Sequence, residues 1–183
     1  MTSTVVILGS PRNGTSDSVA MEIANASKSK GNEIKTFKLN QFSKAKGCQS
    51  CYRCKEAGEC VLKDDISTVL DAVRKADGVI LATPIYFGHT TSQFRMFEDR
   101  CFGFLKKDFS PNIGVGKKVA IVCTCGSGLN DAKRSADELE NEWTNFFKAN
   151  VIGKIVADKM LAPDAALNNA EIMSKAKSIG EKF

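Results

Sequence analysis

The sequence predicts an α/β protein built on a doubly wound, five-stranded parallel sheet. Three observations carry that expectation. Short apolar runs at 5–8, 79–82 and 119–123 are bounded by turn residues, the pattern of strands buried on both faces. Segments with apolar residues at helical spacing alternate with them. Three strand ends run into polar, glycine-bearing loops, and parallel sheets gather ligands outside the carboxyl ends of their strands.

Taken in order, Val5, Val6, Ile7 and Leu8 form the first strand, and Val19, Ala20, Ile23 and Ala24 mark a helix over 16–30. Residues 33–39 have mixed polarity and read as an edge strand. A polar excursion with four cysteines follows at about 45–63. Ile66, Val69, Leu70 and Val73 then stand at i, i+3, i+4, i+7, an amphipathic helix over 64–75. The strand at 79–82 leads into a loop over 83–91 and a helix over 91–105, with Phe94, Phe97, Cys101 and Phe104 on one face. A turn-rich connection at 108–116 precedes the strand at 119–123. The remaining elements are a helix over 130–149, a strand over 151–157 and a helix over 164–181.

At 183 residues the chain suits one domain, 1–183, with a substantial core. Its 43% apolar and 26% charged content is ordinary for a soluble globular protein. The net charge of +5 is spread along the chain, which argues against a nucleic-acid partner. No membrane-spanning run or signal peptide is expected, so the protein reads as cytoplasmic. Seven cysteines in such a setting favour metal or redox chemistry over a disulfide framework.

The loop after the first strand holds Ser10, Arg12, Asn13, Gly14, Thr15 and Ser16 and opens directly into a helix. First-turn N–H groups lack intrahelical partners, and the helix dipole favours an anion there. The loop carries neither Gly-x-Gly-x-x-Gly nor Gly-Lys-Ser/Thr, so dinucleotide and triphosphate fingerprints fail. Its hydroxyls instead suit a terminal monophosphate such as that of FMN. The competing reading is an ordinary capped helix. The second loop offers Pro84, Ile85, Tyr86 and Phe87, for which core or turn packing is the competing reading. The third offers Thr124, Gly126, Ser127 and Gly128, whose glycines admit close backbone approach. His89 is the only histidine, which excludes triads with two, and surface duty is its simpler role.

Cys48, Cys51, Cys54 and Cys60 form a C-x2-C-x2-C-x5-C run, four thiols in thirteen positions of a polar stretch. Thiolate sets of this kind hold Fe–S clusters. Lys55, Arg53 and Lys63 nearby favour thiolates. Structural zinc, with its longer spacer between pairs, and unmetallated thiols remain alternatives. Cys101 and Cys123 read as core residues, and Cys125 lies in the third loop.

Together these residues resemble the flavodoxin-like NAD(P)H-dependent FMN reductase family, and within it the iron–sulfur flavoproteins. Gly9-Ser10-Pro11-Arg12 with Gly14-Thr15-Ser16 looks like the family's phosphate loop, one residue shorter than its common form. Thr83 to Gly88 looks like the segment packed beside the isoalloxazine, and Asp99-Arg100 matches a pair ending the next helix. The cysteine motif before Asp64-Asp65 matches the iron–sulfur branch. The similarity is clear over 5–100 and continues only as pattern beyond. It implies one FMN per subunit and a [4Fe–4S] cluster on Cys48, Cys51, Cys54 and Cys60. It also implies homodimers or homotetramers in which the cluster of one subunit approaches the FMN of another. Ferredoxin or NAD(P)H would be the electron donor, with oxygen, peroxide, a quinone or a nitro compound as small acceptor. Rival readings are a cluster-free NAD(P)H-dependent FMN or quinone reductase, a flavodoxin-like electron carrier, and a zinc-stabilised binding module. Core packing explains Phe94 and Phe97, and the surplus at Phe102, Phe104 and Phe109 suggests a subunit interface.

Overall fold

The computed structural model describes residues 2–183. Its elements alternate as β1 (Ser3–Leu8), α1 (Thr15–Ser29), β2 (Glu33–Lys38), a short α2 (Cys54–Ala57), α3 (Asp65–Lys75), β3 (Gly78–Tyr86), β4 (His89–Thr90), α4 (Ser92–Arg100), β5 (Lys118–Thr124), α5 (Leu129–Asn145), β6 (Asn150–Ala157) and α6 (Ala170–Gly180). Among the described residues the sheet has six strands rather than five. Five are parallel in the order β2-β1-β3-β5-β6, and β4 pairs antiparallel with β3. The parallel order is that of flavodoxin-like sheets, with its switch point between β1 and β3.

Alternation along the inner strands explains the unbroken apolar runs. Val5 and Ile7, Val79 and Leu81, and Val119 and Ile121 enter one core with Ile66, Val69 and Val73 of α3, Phe94 and Phe97 of α4, and Leu139 and Trp143 of α5. Val6 and Leu8, Ile80 and Ala82, and Ala120 and Val122 enter a second core with Val19 and Ile23 of α1 and Ile179 of α6. Each face is covered, so each strand must be apolar on both sides. β2 carries exposed positions at the sheet edge, as its composition predicted. Cys101 and Cys123 lie in the core, and burial pushes the Cys123 thiol up to about 12.

Four boundaries depart from expectation, the simplest being α5, which ends at Asn145 rather than at 149. β3 does not stop at Ala82 but continues to Tyr86, pairing Thr83 and Pro84 with β5. The proline is tolerated because the Ala82 carbonyl accepts from Gly9 N–H (2.8 Å) on the β1 side. By two-residue alternation Pro84 also faces that side, where β1 has ended and no donor is needed. The chain then reverses through Phe87 and Gly88, both at positive φ, the signature of a two-residue hairpin turn. α4 stops at Arg100 and continues as a 3-10 turn over Cys101–Phe104. α6 starts only at Ala170, where the Asn169 side chain accepts from Ile172 N–H (3.1 Å); residues 158–169 instead cross the carboxyl end of the sheet. Among the described residues no helix is long and apolar enough to cross a membrane.

Candidate functional site

The first, second and third loops do meet. A cavity of about 80 Å³ at the carboxyl ends of β1, β3 and β5 is lined by Ser10, Arg12, Thr15 and Ser16, by Pro84 and Tyr86, and by Thr124, Cys125 and Gly126. No side chain caps α1, so its first-turn N–H groups are left for another acceptor. Ser10, Thr15 and Ser16 are buried there, while Arg12 is exposed at the rim. The enclosed volume takes a phosphate group and not a flavin ring, since pockets for drug-sized ligands run to several hundred Å³.

What restricts the cavity was not legible in the motifs. Met160 and Leu161, just beyond β6, form its remaining wall. Arg12 Nη2 donates to the Leu161 carbonyl (2.7 Å), and Met160 N–H donates to the Cys125 carbonyl (2.9 Å). The Leu161 side chain lies directly over Gly126, where an added Cβ would stand 2.4 Å from its Cδ2. Because Leu161 is 73% exposed, it can swing out without disturbing the core.

Five of the expected residues lie elsewhere. Asn13 turns away, its Oδ1 accepting from Lys38 Nζ (2.9 Å), and lines a separate groove with Asp17 and Lys38. Lys38 also donates to the Arg12 carbonyl (2.7 Å) and pairs with Asp17. Burial holds the Asp17 carboxyl above its ordinary value against the pull of Lys38, and its Oδ1 has no hydrogen-bond partner among the described residues. Ile85 points into the core, because alternation along β3 sends its neighbours Pro84 and Tyr86 to the opposite face. Phe87 sits fully exposed at the hairpin tip. Ser127 and Gly128 are exposed beyond the cavity, Gly128 serving as the residue before α5. His89 is exposed in β4, opposite Tyr86.

The four cysteines of the excursion line one cavity, together with Tyr52, Leu62, Arg100 and Phe102. Cys48 and Cys51 are exposed, Cys60 is half-buried and Cys54, the first residue of α2, is buried. Ser50 and Tyr52, on either side of Cys51, both adopt left-handed φ (49° and 56°). Such conformations cost about 1–3 kcal/mol each and persist where surroundings over-determine them, often at ligand clamps.

Those surroundings are cationic: Lys55 stands out by its sequence position, Arg100 only as part of a paired motif, and Arg74 not at all. Lys55 Nζ donates to the carbonyls of Phe102 (2.7 Å) and Leu105 (2.6 Å) and lies 3.5 Å from the Phe102 ring centroid. Arg74 donates to the Gly58 (3.1 Å) and Gly103 (3.3 Å) carbonyls. Gly103 allows close approach, since a Cβ there would stand 3.2 Å from Cys60 N. Arg100 is fully buried and bonds Cys60, Lys46, Leu62 and Asp64.

The electrostatic expectation changes at one thiol. Burial pushes the Cys54 thiol up, outweighing Lys55, and the three other cysteines push the same way. Lys63, expected to help, is engaged with Glu59 (3.1 Å) on the surface. Among the described residues no three or more His, Cys, Asp or Glu are grouped to hold a single metal ion. A cluster spreads its thiolates around several irons, so four cysteines around one cavity fit a cluster better than one zinc ion.

A family model described as NADPH-dependent FMN reductase matches residues 2–160. An iron–sulfur flavoprotein of Methanocaldococcus jannaschii is 34% identical over 96% of this chain and 92% of its own length. Another, of Methanosarcina thermophila, is 28% identical over 80% of this chain and 75% of its own. The fold matches an NAD(P)H:quinone oxidoreductase from Methanothermobacter marburgensis, with TM-score 0.71 and 14% identity over 99% of this chain and 95% of that one. It also matches an FMN-dependent NADH-azoreductase from Bacillus anthracis, solved with FMN, with TM-score 0.66 and 14% identity over 100% and 97%. The carboxyl-end cavity, the cysteine stretch and these likenesses converge: the chain belongs to the NADPH-dependent FMN reductase family, in its iron–sulfur flavoprotein branch, and is a flavin-dependent oxidoreductase.

Proposed function

We propose that this protein, a single FMN-binding domain, passes electrons from a reduced carrier of ferredoxin type through a [4Fe–4S] cluster to FMN and on to a small acceptor. The acceptor class is oxygen, peroxide, a quinone or a nitro compound. The observation that carries the reading is the convergence of Cys48, Cys51, Cys54 and Cys60 on one cavity while the flavin loops converge on another. The two cavities have no lining residue in common.

The donor sets fit both groups. Ser10, Thr15, Ser16 and the bare α1 N-terminus would take the FMN phosphate, and Arg12 would add a positive charge at the rim. Pro84, Tyr86 and Gly126 would flank the ring once Leu161 swings out, and Thr124 would line its inner edge. Cys48, Cys51, Cys54 and Cys60 would ligate the cluster. Bound FMN supplies chemistry in one- or two-electron steps and a cluster in one-electron steps, which joins a single-electron donor to a two-electron acceptor. The chain's own part is to bind, orient and exclude water, and no side chain acts as a nucleophile. Assembly as homodimers or homotetramers, in which the cysteine stretch of one copy reaches the flavin cavity of another, belongs to the same proposal. Exposed Tyr52 and Phe109, packed edge-on and tilted against Phe102 with ring centroids 5.7 and 6.3 Å away, are the apolar surface that would be covered.

A second reading, a cluster-free reductase that takes hydride directly from NAD(P)H, is favoured by the family description. Anaerobic mixing separates the two. In the first, reduced ferredoxin bleaches the flavin band of wild type and does so far more slowly in Cys51→Ser. Equal bleaching of both proteins by NADPH, with no response to ferredoxin, would install the second.

A further inference from the structure

We propose that Arg100 is a positioning residue for the cluster: it aims Cys60 into the cysteine cavity, and its N–H···S bond raises the cluster's reduction potential. The inference rests on the cluster reading above.

Arg100 is at the end of α4 with its side chain fully enclosed. A guanidinium is retained in such a place only when its donors are used. Nη1 donates to Asp64 Oδ1 (2.9 Å), Asp64 Oδ2 (2.8 Å) and the Lys46 carbonyl (3.0 Å). Nη2 donates to the Leu62 carbonyl (3.3 Å), and Nε donates to Cys60 Sγ (3.1 Å). Every one of these partners belongs to residues 46–64, so one planar group staples the stretch just before Cys48 to the stretch from Cys60 onward.

A purely structural ion pair would need Asp64 and the carbonyls alone. The remaining edge of the guanidinium is spent on a sulfur that lines the cysteine cavity. Because the fork is rigid, Asp64 and the carbonyls fix the angle at which Nε meets Cys60. Asp64 is itself fixed as the cap of α3, accepting from Ser67 N–H (3.1 Å). A ligating cysteine is deprotonated, so the bond would run from a full cation to a thiolate.

Reduction adds one electron to the cluster and transfers no atom. The added negative charge is stabilised by a hydrogen bond to a ligand sulfur and by a nearby cation. Arg100 therefore raises the potential and the Asp64 carboxylate lowers it. Two variants separate this from a structural role. Arg100→Lys keeps the charge and loses the fork. Asp64→Asn keeps a good helix cap and loses the opposing charge.

The test is an anaerobic redox titration of the three proteins with a chemical reductant, followed by the paramagnetism of the reduced cluster. Iron per chain and thermal melts are measured in parallel. The expected result is a lower potential in Arg100→Lys and a higher one in Asp64→Asn, both with cooperative melts. If Arg100→Lys melts cooperatively but has lost its iron, the positioning half stands and Asp64→Asn decides the potential. Iron in wild type with potentials that coincide in every iron-bearing variant would overturn the inference and leave the cluster reading intact. Wild type without iron would overturn the cluster reading, and this inference with it.

Discussion

Arg12→Met probes the phosphate end of the flavin site. A charged hydrogen bond contributes about 1.5–3 kcal/mol, and Arg12 is exposed at the cavity rim, where solvent screening favours the lower bound. About 1.4 kcal/mol is tenfold in affinity, so FMN should bind roughly tenfold more weakly. The substitution also releases the 2.7 Å bond that ties Arg12 to the Leu161 carbonyl, which would loosen the wall over Gly126. Riboflavin separates the two effects because it has the ring and lacks the phosphate. Apoprotein is titrated with each flavin by fluorescence quenching at low and high salt. FMN affinity should fall in the variant with little change for riboflavin, and the variant should lose most of the salt dependence. An equal change for both flavins would place Arg12 on the wall alone, and no weakening for FMN would refute the phosphate assignment.

Three further outcomes follow from the packing. Gly180→Ala would set a Cβ 2.2 Å from the Ile23 carbonyl oxygen and 2.6 Å from Ala26 Cβ, where backbone has no room to yield. It should lower stability by about 1–3 kcal/mol in urea melts, with FMN affinity unchanged. Arg100→Met leaves the Asp64 carboxylate, 11% exposed, without its partner, and should cost about 3–5 kcal/mol in the same assay. Glu142 is pushed up to about 8 by burial and then by Glu98, against the pull of Arg95. Its folded form keeps the proton that the unfolded chain gives up, so its contribution is full below the ordinary value of 4.5 and is lost as pH rises towards 8. Glu142→Gln should flatten the fall of melting temperature across that window; an unchanged slope would reject the assignment.

The sheet was readable because its strands are buried on both faces and the chain has no other use for such runs as 5–8 and 119–123. The first loop was readable for a related reason: hydroxyls set between a buried strand and a helix N-terminus suit an anion better than they suit packing. What alternation decides was harder to see. Ile85 and Tyr86 are adjacent in sequence, yet the extension of β3 sends one into the core and the other to the cavity. The extension itself depends on β1 ending at Leu8, a pairing fact that no local pattern around Pro84 records. Met160 and Leu161 reach the cavity only because 158–169 crosses the sheet before α6 begins, and Lys38 draws Asn13 aside from a neighbouring strand. The cysteine spacing was plain. Lys55 and Arg74 act on backbone carbonyls that carry no sequence identity, and Arg100 meets Asp64 and Cys60 from 36 and 40 residues away.

The most direct test of the two-centre account is the visible spectrum of protein purified without oxygen, with iron and acid-labile sulfide counted per chain. The account predicts flavin bands over a broad sulfur-to-iron absorption, with about four irons and four sulfides per chain, as a [4Fe–4S] cluster requires. Flavin bands without iron would contradict the cluster on Cys48, Cys51, Cys54 and Cys60 and leave a direct NAD(P)H reductase. A colourless protein that takes up no FMN would contradict the flavin site as well.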